Sequence, residues 1–240
     1  SEGQEFGEQL LQWQDINNDP GSPAEWAWSP YFLEDFELPQ PRGAVVRFLN
    51  GRFVLVGKNF EDDSQVAHHV FTSTDGINWP KGAVSNQGLP ENGLNQPRFS
   101  FMRDLVHGGG IYLGIAAGGQ SLNGDSWFRA DVMTSADGQN WAFLADRTSL
   151  STATAGQALT DIAHANGQFV AVGYRDTSPL LNIVATTPDG LTWTSRSFNP
   201  RVFQRSASES AVALASGDGK VMAVTQWGGA AVSSDHGITW

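Results

Sequence analysis

The chain has 240 residues, a formal net charge of −11, 16% charged residues, 27 glycines and 9 tryptophans. This composition is typical of a folded, turn-rich protein and excludes a disordered chain. The acidic balance excludes nucleic acid as a partner, because no surplus of Lys and Arg can neutralise phosphates. The lack of cysteine excludes disulfides and thiolate metal sites. No apolar run approaches the length of a membrane helix, so we expect no membrane insertion.

Residues 1–40 form a predicted N-terminal extension, and their start has no basic-then-apolar leader, as in a mature or trimmed chain. The segment EWAWSPYF at 25–32 alternates like a strand and could complete the last repeat, closing a ring. An oxygen-rich spacing of the kind found in calcium loops is formed by Asp15, Asn17 and Asp19. The Gly and Glu of such loops are missing, so we expect a solvated turn there, with calcium as the alternative and no other cofactor.

Residues 41–240 hold four repeated units, at about 41–90, 91–150, 151–198 and 199–240. Each unit reads as four strands, A to D. Strands A and B are joined by a two-residue turn that tolerates positive φ: Asn50-Gly51, Gly109-Gly110, Asn166-Gly167 and Asp218-Gly219. Tandem four-stranded units predict an all-β fold, a β-propeller of antiparallel blades with about four blades in this chain. A solenoid of stacked sheets is the alternative.

Each unit ends on a similar phrase between strands C and D: TSTDGINW, TSADGQNW, ATTPDGLTW and SSDHGITW. These phrases resemble the Asp-box, or bacterial neuraminidase repeat, Ser-x-Asp-x-Gly-x-Thr-Trp. The fourth matches it position by position, and the others are one residue shorter between Asp and Gly. The resemblance implies a bacterial exported propeller, extracellular or periplasmic. We expect structural roles for the box residues, with Asp accepting backbone hydrogen bonds and Trp packing between sheets: Asp75, Trp79, Asp137, Trp141, Asp189, Trp193, Asp235 and Trp240.

The pattern Asp-x-x-His occurs twice, as Asp104 with His107 and as Asp161 with His164. Such a pattern is also found at metal sites. The repeat offers another interpretation, in which both pairs occupy equivalent strand A positions in two blades. We therefore expect the two pairs to lie well apart in space and to bind no metal.

In an up-and-down blade, the A–B and C–D turns lie on one face of the disc, here called the turn face. The B–C and D–A connections lie on the opposite face, the loop face, where binding residues are expected. Three arginines each follow a proline just before a strand A and are predicted to surround the channel mouth as an anion site: Arg42, Arg98 and Arg201. The alternative is that they cap carbonyls or pair with acidic loop residues.

Aromatic residues in the B–C loops, beside Asp, Asn and Arg, are typical of a sugar-binding surface: Trp127, Tyr174 and Trp227. They could equally contact a protein partner or serve ordinary packing.

The Asp-box resemblance covers sialidases, other glycosidases, lectins and scaffolds. A sialidase needs three Arg on the substrate carboxylate, and that number fits. The sialidase Arg-Ile-Pro motif is absent, however, and no Glu partner is evident for Tyr31, Tyr112 or Tyr174. We therefore expect a non-catalytic exported propeller that binds carbohydrate or a protein through its loop face. The alternatives are a sialidase-like glycoside hydrolase and a structural module that associates with further blades or another chain in an extracellular assembly.

Overall fold

The computed structural model describes residues 42–58, 68–85, 101–118, 129–144, 146, 148–154, 157, 159–175, 181–196, 211–225 and 227–240. These residues form four sheets, antiparallel apart from one parallel strand pair, and one short helix. The all-β propeller predicted from the repeats is confirmed. The division at residue 40 stays a prediction, because the N-terminal extension lies outside the described residues, as do Asp15, Asn17 and Asp19.

The sheets follow the repeats in chain order, and successive strands are adjacent except in the second sheet, whose first strand lies beside its last. The first sheet comprises β1 (Arg42–Leu49), β2 (Arg52–Lys58) and β3 (His68–Ser73). The second comprises β4 (Ala83–Ser85), β5 (Phe101–Gly108), β6 (Ile111–Gly118), β7 (Arg129–Ser135) and β8 (Asn140–Phe143). The third comprises β9 (Leu159–Ala165), β10 (Gln168–Arg175), β11 (Leu181–Thr187) and β12 (Thr194–Arg196). The fourth comprises β13 (Ala211–Gly217), β14 (Lys220–Thr225) and β15 (Ala230–Ser233).

Each A–B hairpin turns over two residues in the left-handed region. In the first, φ is 51° at Asn50 and 76° at Gly51. The other three turns, Gly109-Gly110, Asn166-Gly167 and Asp218-Gly219, have positive φ at both positions as well. Asn, Asp and Gly adopt this conformation at the lowest cost, and the resulting turn matches the twist of the strands. The hairpins and the C–D turns therefore share the turn face, as the sequence predicts.

The first and last sheets have three strands each in the described part of the chain, where the sequence predicts four. The fourth strand of unit one, β4, leaves its own sheet and pairs in parallel with β8 of the second sheet. Just before β4, the chain is still hydrogen-bonded to β3, because the N–H of Gly82 donates to the carbonyl of Val70 at 2.8 Å. A Cβ on Gly82 would lie 2.1 Å from the carbonyl oxygen of Gln139. Only glycine fits this crossing, which ties the first sheet to the second.

The core lies between the sheets. The first interface joins Val54, Val56 and Val70 of the first sheet to Tyr112, Met133 and Trp141 of the second. The second interface joins Leu113, Ile115 and Val132 to Phe169, Ala171 and Trp193. The third joins Val170, Val172 and Val184 to Ala211 and Val221. Burying one such Val, Leu or Phe side chain contributes about 1.5–3 kcal/mol. Sheet-on-sheet packing is therefore the main stabilising term.

A short helix, α1 (Thr148–Ala153), joins the second sheet to the third and was not predicted from the sequence. It buries Leu150 and Ala153 in the second interface. Its Ser149 hydroxyl accepts a hydrogen bond from the N–H of Trp193 at 3.2 Å and donates to the carbonyl of Leu191 at 3.1 Å. The helix thus closes the outer end of the interface. No helix in the described ranges is long and apolar enough to cross a membrane.

Candidate functional site

Four C–D turns share one hydrogen-bonding scheme, centred on an aspartate carboxylate. In the first turn, Oδ1 of Asp75 accepts hydrogen bonds from the backbone N–H groups of Ile77 and Asn78, both at 2.8 Å. The Ser or Thr two residues before each aspartate donates its hydroxyl to the carboxylate and accepts the N–H of the turn glycine. Asp137 and Asp189 repeat the arrangement. Within the described part of the chain, these carboxylates accept hydrogen bonds from their own turns.

The fourth turn accommodates its extra residue and keeps most of this scheme. His236 takes the added position with φ of 63°, followed by Gly237 at 80°. Oδ1 of Asp235 then accepts the N–H of Thr239 at 2.8 Å, and Oδ2 accepts the Thr239 hydroxyl at 2.6 Å. The backbone absorbs the insertion at one strained residue, and the carboxylate keeps one of the two backbone donors, because the N–H of Ile238 donates to the carbonyl of Asp235 at 3.3 Å instead.

The tryptophan of each turn donates its Nε1–H to the carbonyl of the turn glycine, at 2.8 to 3.2 Å. Trp141 and Trp193 are buried, and they lie in the first and second sheet interfaces. Trp79 and Trp240, in the first and last sheets, are half-buried. Each indole thus closes its own turn and, in the middle of the chain, also fills the space between sheets.

Hydrogen bonds lower the pKa of all four box carboxyls. The backbone N–H of Asn78 and then its side-chain amide hold the pKa of Asp75 well below its usual range. The hydroxyl and N–H of Thr239 lower the pKa of Asp235 to about 2. The other two box carboxyls are lowered as well. All four are therefore ionised at neutral pH and cannot act as general acids there.

A different cluster lies where the innermost strands of the four sheets converge. Nη2 of Arg47 on β1 forms an ion pair with Oδ1 of Asp104 on β5 at 2.7 Å. The Asp104 carboxyl is hydrogen-bonded to that of Asp161 on β9. Oδ1 of Asp161 accepts the N–H of Ile162 at 2.8 Å, and Oδ2 accepts the N–H of Leu214 on β13. This axial cluster, Arg47, Asp104 and Asp161, links all four innermost strands.

Burial, followed by the hydrogen bond and the negative charge of Asp104, raises the pKa of Asp161 to about 7. Two carboxyl groups in contact cannot both ionise without strong repulsion. Asp161 is therefore protonated over most of the acidic range. Arg47, which is about half exposed, supplies the positive charge for the carboxylate that remains.

The expectation that the two Asp-x-x-His pairs lie well apart is wrong. Asp104 and Asp161 are in direct contact, and the positive charge of His107 lowers the pKa of His164, after the larger effect of burial. A Cβ on Gly108 would lie 2.1 Å from Cγ of His164, so the imidazole packs against the backbone of β5. Equivalent strand A residues of successive blades are neighbours in a propeller, because β5 and β9 pack side by side.

The axial pair is too close for a glycosidase mechanism that uses both carboxyls. In such enzymes the two groups stand about 5 to 9.5 Å apart, with the scissile bond between them. Here the Asp104 carboxyl lies within hydrogen-bonding reach of Asp161 and raises its pKa, which is closer than either glycosidase arrangement. Both oxygens of Asp161 are also taken up by backbone donors. The geometry is that of a buried polar contact between sheets.

Trp227 is the most exposed of the large apolar side chains on the described residues, at 66%. It lies in the β14–β15 connection, which belongs to the loop face. The turn that carries it is fixed by Thr225, whose N–H donates to the carbonyl of Gly229 at 2.8 Å and whose hydroxyl accepts the Gly229 N–H at 2.8 Å. Gly228 takes φ of 81°. A rigid turn thus holds an indole out in solvent.

The other five predicted binding residues lie at strand ends of the loop face or outside the described residues. Arg42 begins β1 and Tyr174 lies near the end of β10, both at strand ends that belong to the loop face. Arg98, Arg201 and Trp127 lie outside the described residues. The predicted anion and sugar contacts of all five stay predictions.

Arg47 and the amide of Leu214 were not predicted as part of any site. Arg47 lies in an otherwise apolar strand, RGAVVRFL, and this lone charge was the available signal. Its face of β1 also carries Val45 and Leu49, which pack against the first interface. A charge on a buried face indicates a partner of opposite sign on the neighbouring sheet.

Sequence comparisons give no family. No protein-family model matches the chain, and no curated protein matches it in sequence. Solved structures do match in fold. A Trypanosoma rangeli sialidase mutant with trans-sialidase activity gives a TM-score of 0.51 at 14% identity, over 98% of this chain and 40% of the sialidase. A GH43 β-1,3-galactosidase with galactodeoxynojirimycin gives 0.51 at 14% identity, over 83% of this chain and 74% of the enzyme.

An exo-β-1,3-galactanase from Clostridium thermocellum is also similar, with a TM-score of 0.50 at 15% identity over 81% of this chain. This chain spans 46% of the galactanase and 40% of the sialidase. At such identities the likeness shows the fold alone. Within the described part of the chain, no group of three or more His, Cys, Asp or Glu side chains is arranged to hold a metal ion.

Proposed function

We propose that the chain is a non-catalytic carbohydrate-binding propeller, which binds through its loop face. The observation that carries the proposal is Trp227, an indole 66% exposed on a turn fixed by hydrogen bonds. Keeping an indole in water costs free energy that burial would recover. A flat apolar ring held rigidly beside polar groups is what stacking on a sugar ring requires.

The other loop-face residues extend this proposal. Trp127 and Tyr174 would supply further stacking surfaces around the disc, and Arg42, Arg98 and Arg201 would bind acidic groups of the glycan at the channel mouth. The Asp-box phrases support membership of the exported Asp-box propellers, with residues 41–240 as the propeller, and hence an extracellular or periplasmic location. The structural neighbours named for a sialidase, a galactosidase and a galactanase act on sugars and agree with a glycan ligand.

The second candidate is a glycoside hydrolase. A specific observation favours it: the pKa of Asp161 is raised to about 7, which is the range of a general acid at neutral pH. The contact with Asp104 and the two backbone donors oppose it, because they hold the Asp161 carboxyl between the innermost strands. The two candidates differ in whether the glycan is changed.

The test is incubation with sialylated, plant, algal and bacterial glycans, with mass spectrometry of bound and released material. We expect unchanged glycan to be retained, and Trp227→Ala to weaken retention at least about tenfold. Ile77→Ala is the matched control, because Ile77 is an exposed apolar residue on the turn face. Smaller products that disappear in Asp161→Asn would establish the hydrolase instead. The absence of both retained glycan and smaller products would contradict both candidates.

A further inference from the structure

Two of the A–B turns carry an asparagine followed by a glycine, Asn50-Gly51 in the first sheet and Asn166-Gly167 in the third. Their backbones are nearly identical, with φ of 51° and 76° in the first turn and 49° and 79° in the third. Both asparagines are exposed. The two turns are therefore a matched pair, and the difference between them lies in what the asparagine side chain contacts.

The side chain of Asn166 is tied to the next sheet. Its Nδ2 donates a hydrogen bond to the carbonyl of Gly219 at 2.8 Å. A Cβ on Gly219 would lie 3.0 Å from the same Nδ2, so the Asn166 amide rests directly against the A–B turn of the fourth sheet. This hydrogen bond fixes the amide and joins the A–B turns of the third and fourth sheets.

The side chain of Asn50 has no such tie. Gly110 is the equivalent of Gly219 in the next sheet, and a Cβ on Gly110 would meet nothing within 4 Å. Within the described part of the chain, the Asn50 amide makes no hydrogen bond. A Cβ on Gly51 would also meet nothing within 4 Å. The Asn50 amide therefore stands free in solvent at the tip of its hairpin.

The backbone N–H that follows Asn50 is uncommitted as well. The register of β1 and β2 pairs Leu49 with Arg52, so Asn50 and Gly51 lie outside the ladder. The hydrogen bond of such a turn joins the two residues that flank it and does not use the N–H of the second turn residue. Glycine has no Cβ, so little hinders a group that approaches its nitrogen.

We propose that Asn50 is a site of spontaneous deamidation and that the hydrogen bond of Asn166 protects the equivalent turn. The backbone nitrogen of Gly51 attacks Cγ of Asn50. The N–Cγ bond forms, the Cγ–Nδ2 bond breaks, and ammonia leaves with the proton of the Gly51 N–H. Water then opens the cyclic imide to aspartate or to isoaspartate, and it is the only co-reactant.

The rate depends on how readily each turn opens, because ring closure takes the asparagine out of its turn conformation. An exposed hairpin tip opens locally at low cost. Asn166 must in addition give up its hydrogen bond to Gly219, so we expect it to convert about threefold to tenfold more slowly than Asn50. Isoaspartate adds a carbon to the backbone of a turn that fits two residues, which weakens the pairing of Leu49 with Arg52.

The test is incubation of the folded full chain at mildly alkaline pH, where the Gly51 N–H loses its proton more readily, followed by peptide mapping. Trypsin cleaves after Arg47 and Arg52, which isolates the first turn in the peptide 48–52. Mass spectrometry measures the amide-to-acid conversion at both asparagines, and labelling by an isoaspartyl methyltransferase detects isoaspartate. In urea the two rates should be similar, because both asparagines precede glycine.

Asn50→Gly is the matched control, because Gly109-Gly110 forms the same turn with glycine at both positions. The mass of its peptide 48–52 should not change on incubation, and Asn166 should convert at the wild-type rate. Circular dichroism checks that the wild type and the variant stay folded. Equal conversion of the two asparagines in the folded chain, or faster conversion of Asn166, would overturn the proposal. So would an Asn50 that stays intact in the folded chain and converts only in urea.

Discussion

At the C–D turns and at the axis, the propeller uses the same side chain under opposite conditions. Asp75 and its three equivalents accept several hydrogen bonds from their own turns, stay largely in contact with water, and have lowered pKa values. Asp161 is mostly buried against a second carboxyl, and its pKa is raised to about 7. The hydrogen-bond donors around a carboxylate, together with its burial, thus decide which charge state stabilises the fold. The repeat of an aspartate along the chain does not by itself predict whether the ionised or the protonated carboxyl is favoured.

The largest effect on the free energy of unfolding is expected at a box residue whose side chain packs in a sheet interface. Trp141→Ala should lower the free energy of unfolding by about 3–5 kcal/mol, because it empties a fully packed site between the first and second sheets. Trp79→Ala, in a half-buried equivalent position, should cost clearly less. Urea unfolding at neutral pH measures both. Equal losses would show that the turn, and not the interface, determines the role of the indole.

The next effect compares the two kinds of aspartate directly. Asp161→Ala should lower the free energy of unfolding by about 1–3 kcal/mol, because the buried N–H groups of Ile162 and Leu214 lose their acceptor. Asp137→Ala should cost less, about 1 kcal/mol, because water can replace the carboxylate at an exposed turn. Urea unfolding at about pH 5 gives both values. A larger loss for Asp137→Ala would reverse the assigned importance of the two regions.

The smallest effect on stability is expected at the proposed binding residue. Trp227→Ala should change the free energy of unfolding by less than about 0.5 kcal/mol, because the indole is 66% exposed. The turn should persist, since Thr225 and Gly229 hold it through backbone and hydroxyl groups. Thermal unfolding checks this. A loss comparable to that of Trp79→Ala would mean that Trp227 packs on the protein and is unavailable to a glycan.

The sequence predicts the blades well because their information is local to each unit. A type I′ pair such as Asn50-Gly51 fixes the hairpin between strands A and B. The B–C loop QWGG, flanked by apolar strands, likewise indicated an exposed Trp227. The crossing of β4 to the second sheet was not predicted, because it depends on the space that Gly82 leaves beside Gln139 in the neighbouring unit.

The axial cluster was missed for the same reason. The contact of Asp104 with Asp161 arises between units, where two innermost strands approach. A repeat alignment shows which residues are equivalent, and it does not show that equivalent residues of adjacent blades touch. The repeat alignment also gave no indication of Arg47, because this residue has no charged equivalent in the other units. The matching positions are Val106, Ala163 and Ala215.

The axial aspartate and the box aspartates make the stability of the fold depend on pH in opposite directions. Between its ordinary value of 3.8 and about 7, folded Asp161 binds a proton that the unfolded chain has released, so stability falls as pH rises through this window. The box carboxyls act in the other direction, because their lowered pKa values stabilise the fold above 3.8 and this is lost as pH falls below it. Stability should therefore be greatest at mildly acidic pH.

The most direct measurement is urea unfolding of the wild type and Asp161→Asn at about pH 5 and about pH 8.5. The wild type should lose on the order of 2 kcal/mol on going to the higher pH, since a pKa unit corresponds to about 1.4 kcal/mol and solvent screens part of the effect. Asp161→Asn should lose much less, because the amide has no proton to release. A wild type equally stable at both values, or a variant with the same loss, would contradict a raised pKa of Asp161 at the axis.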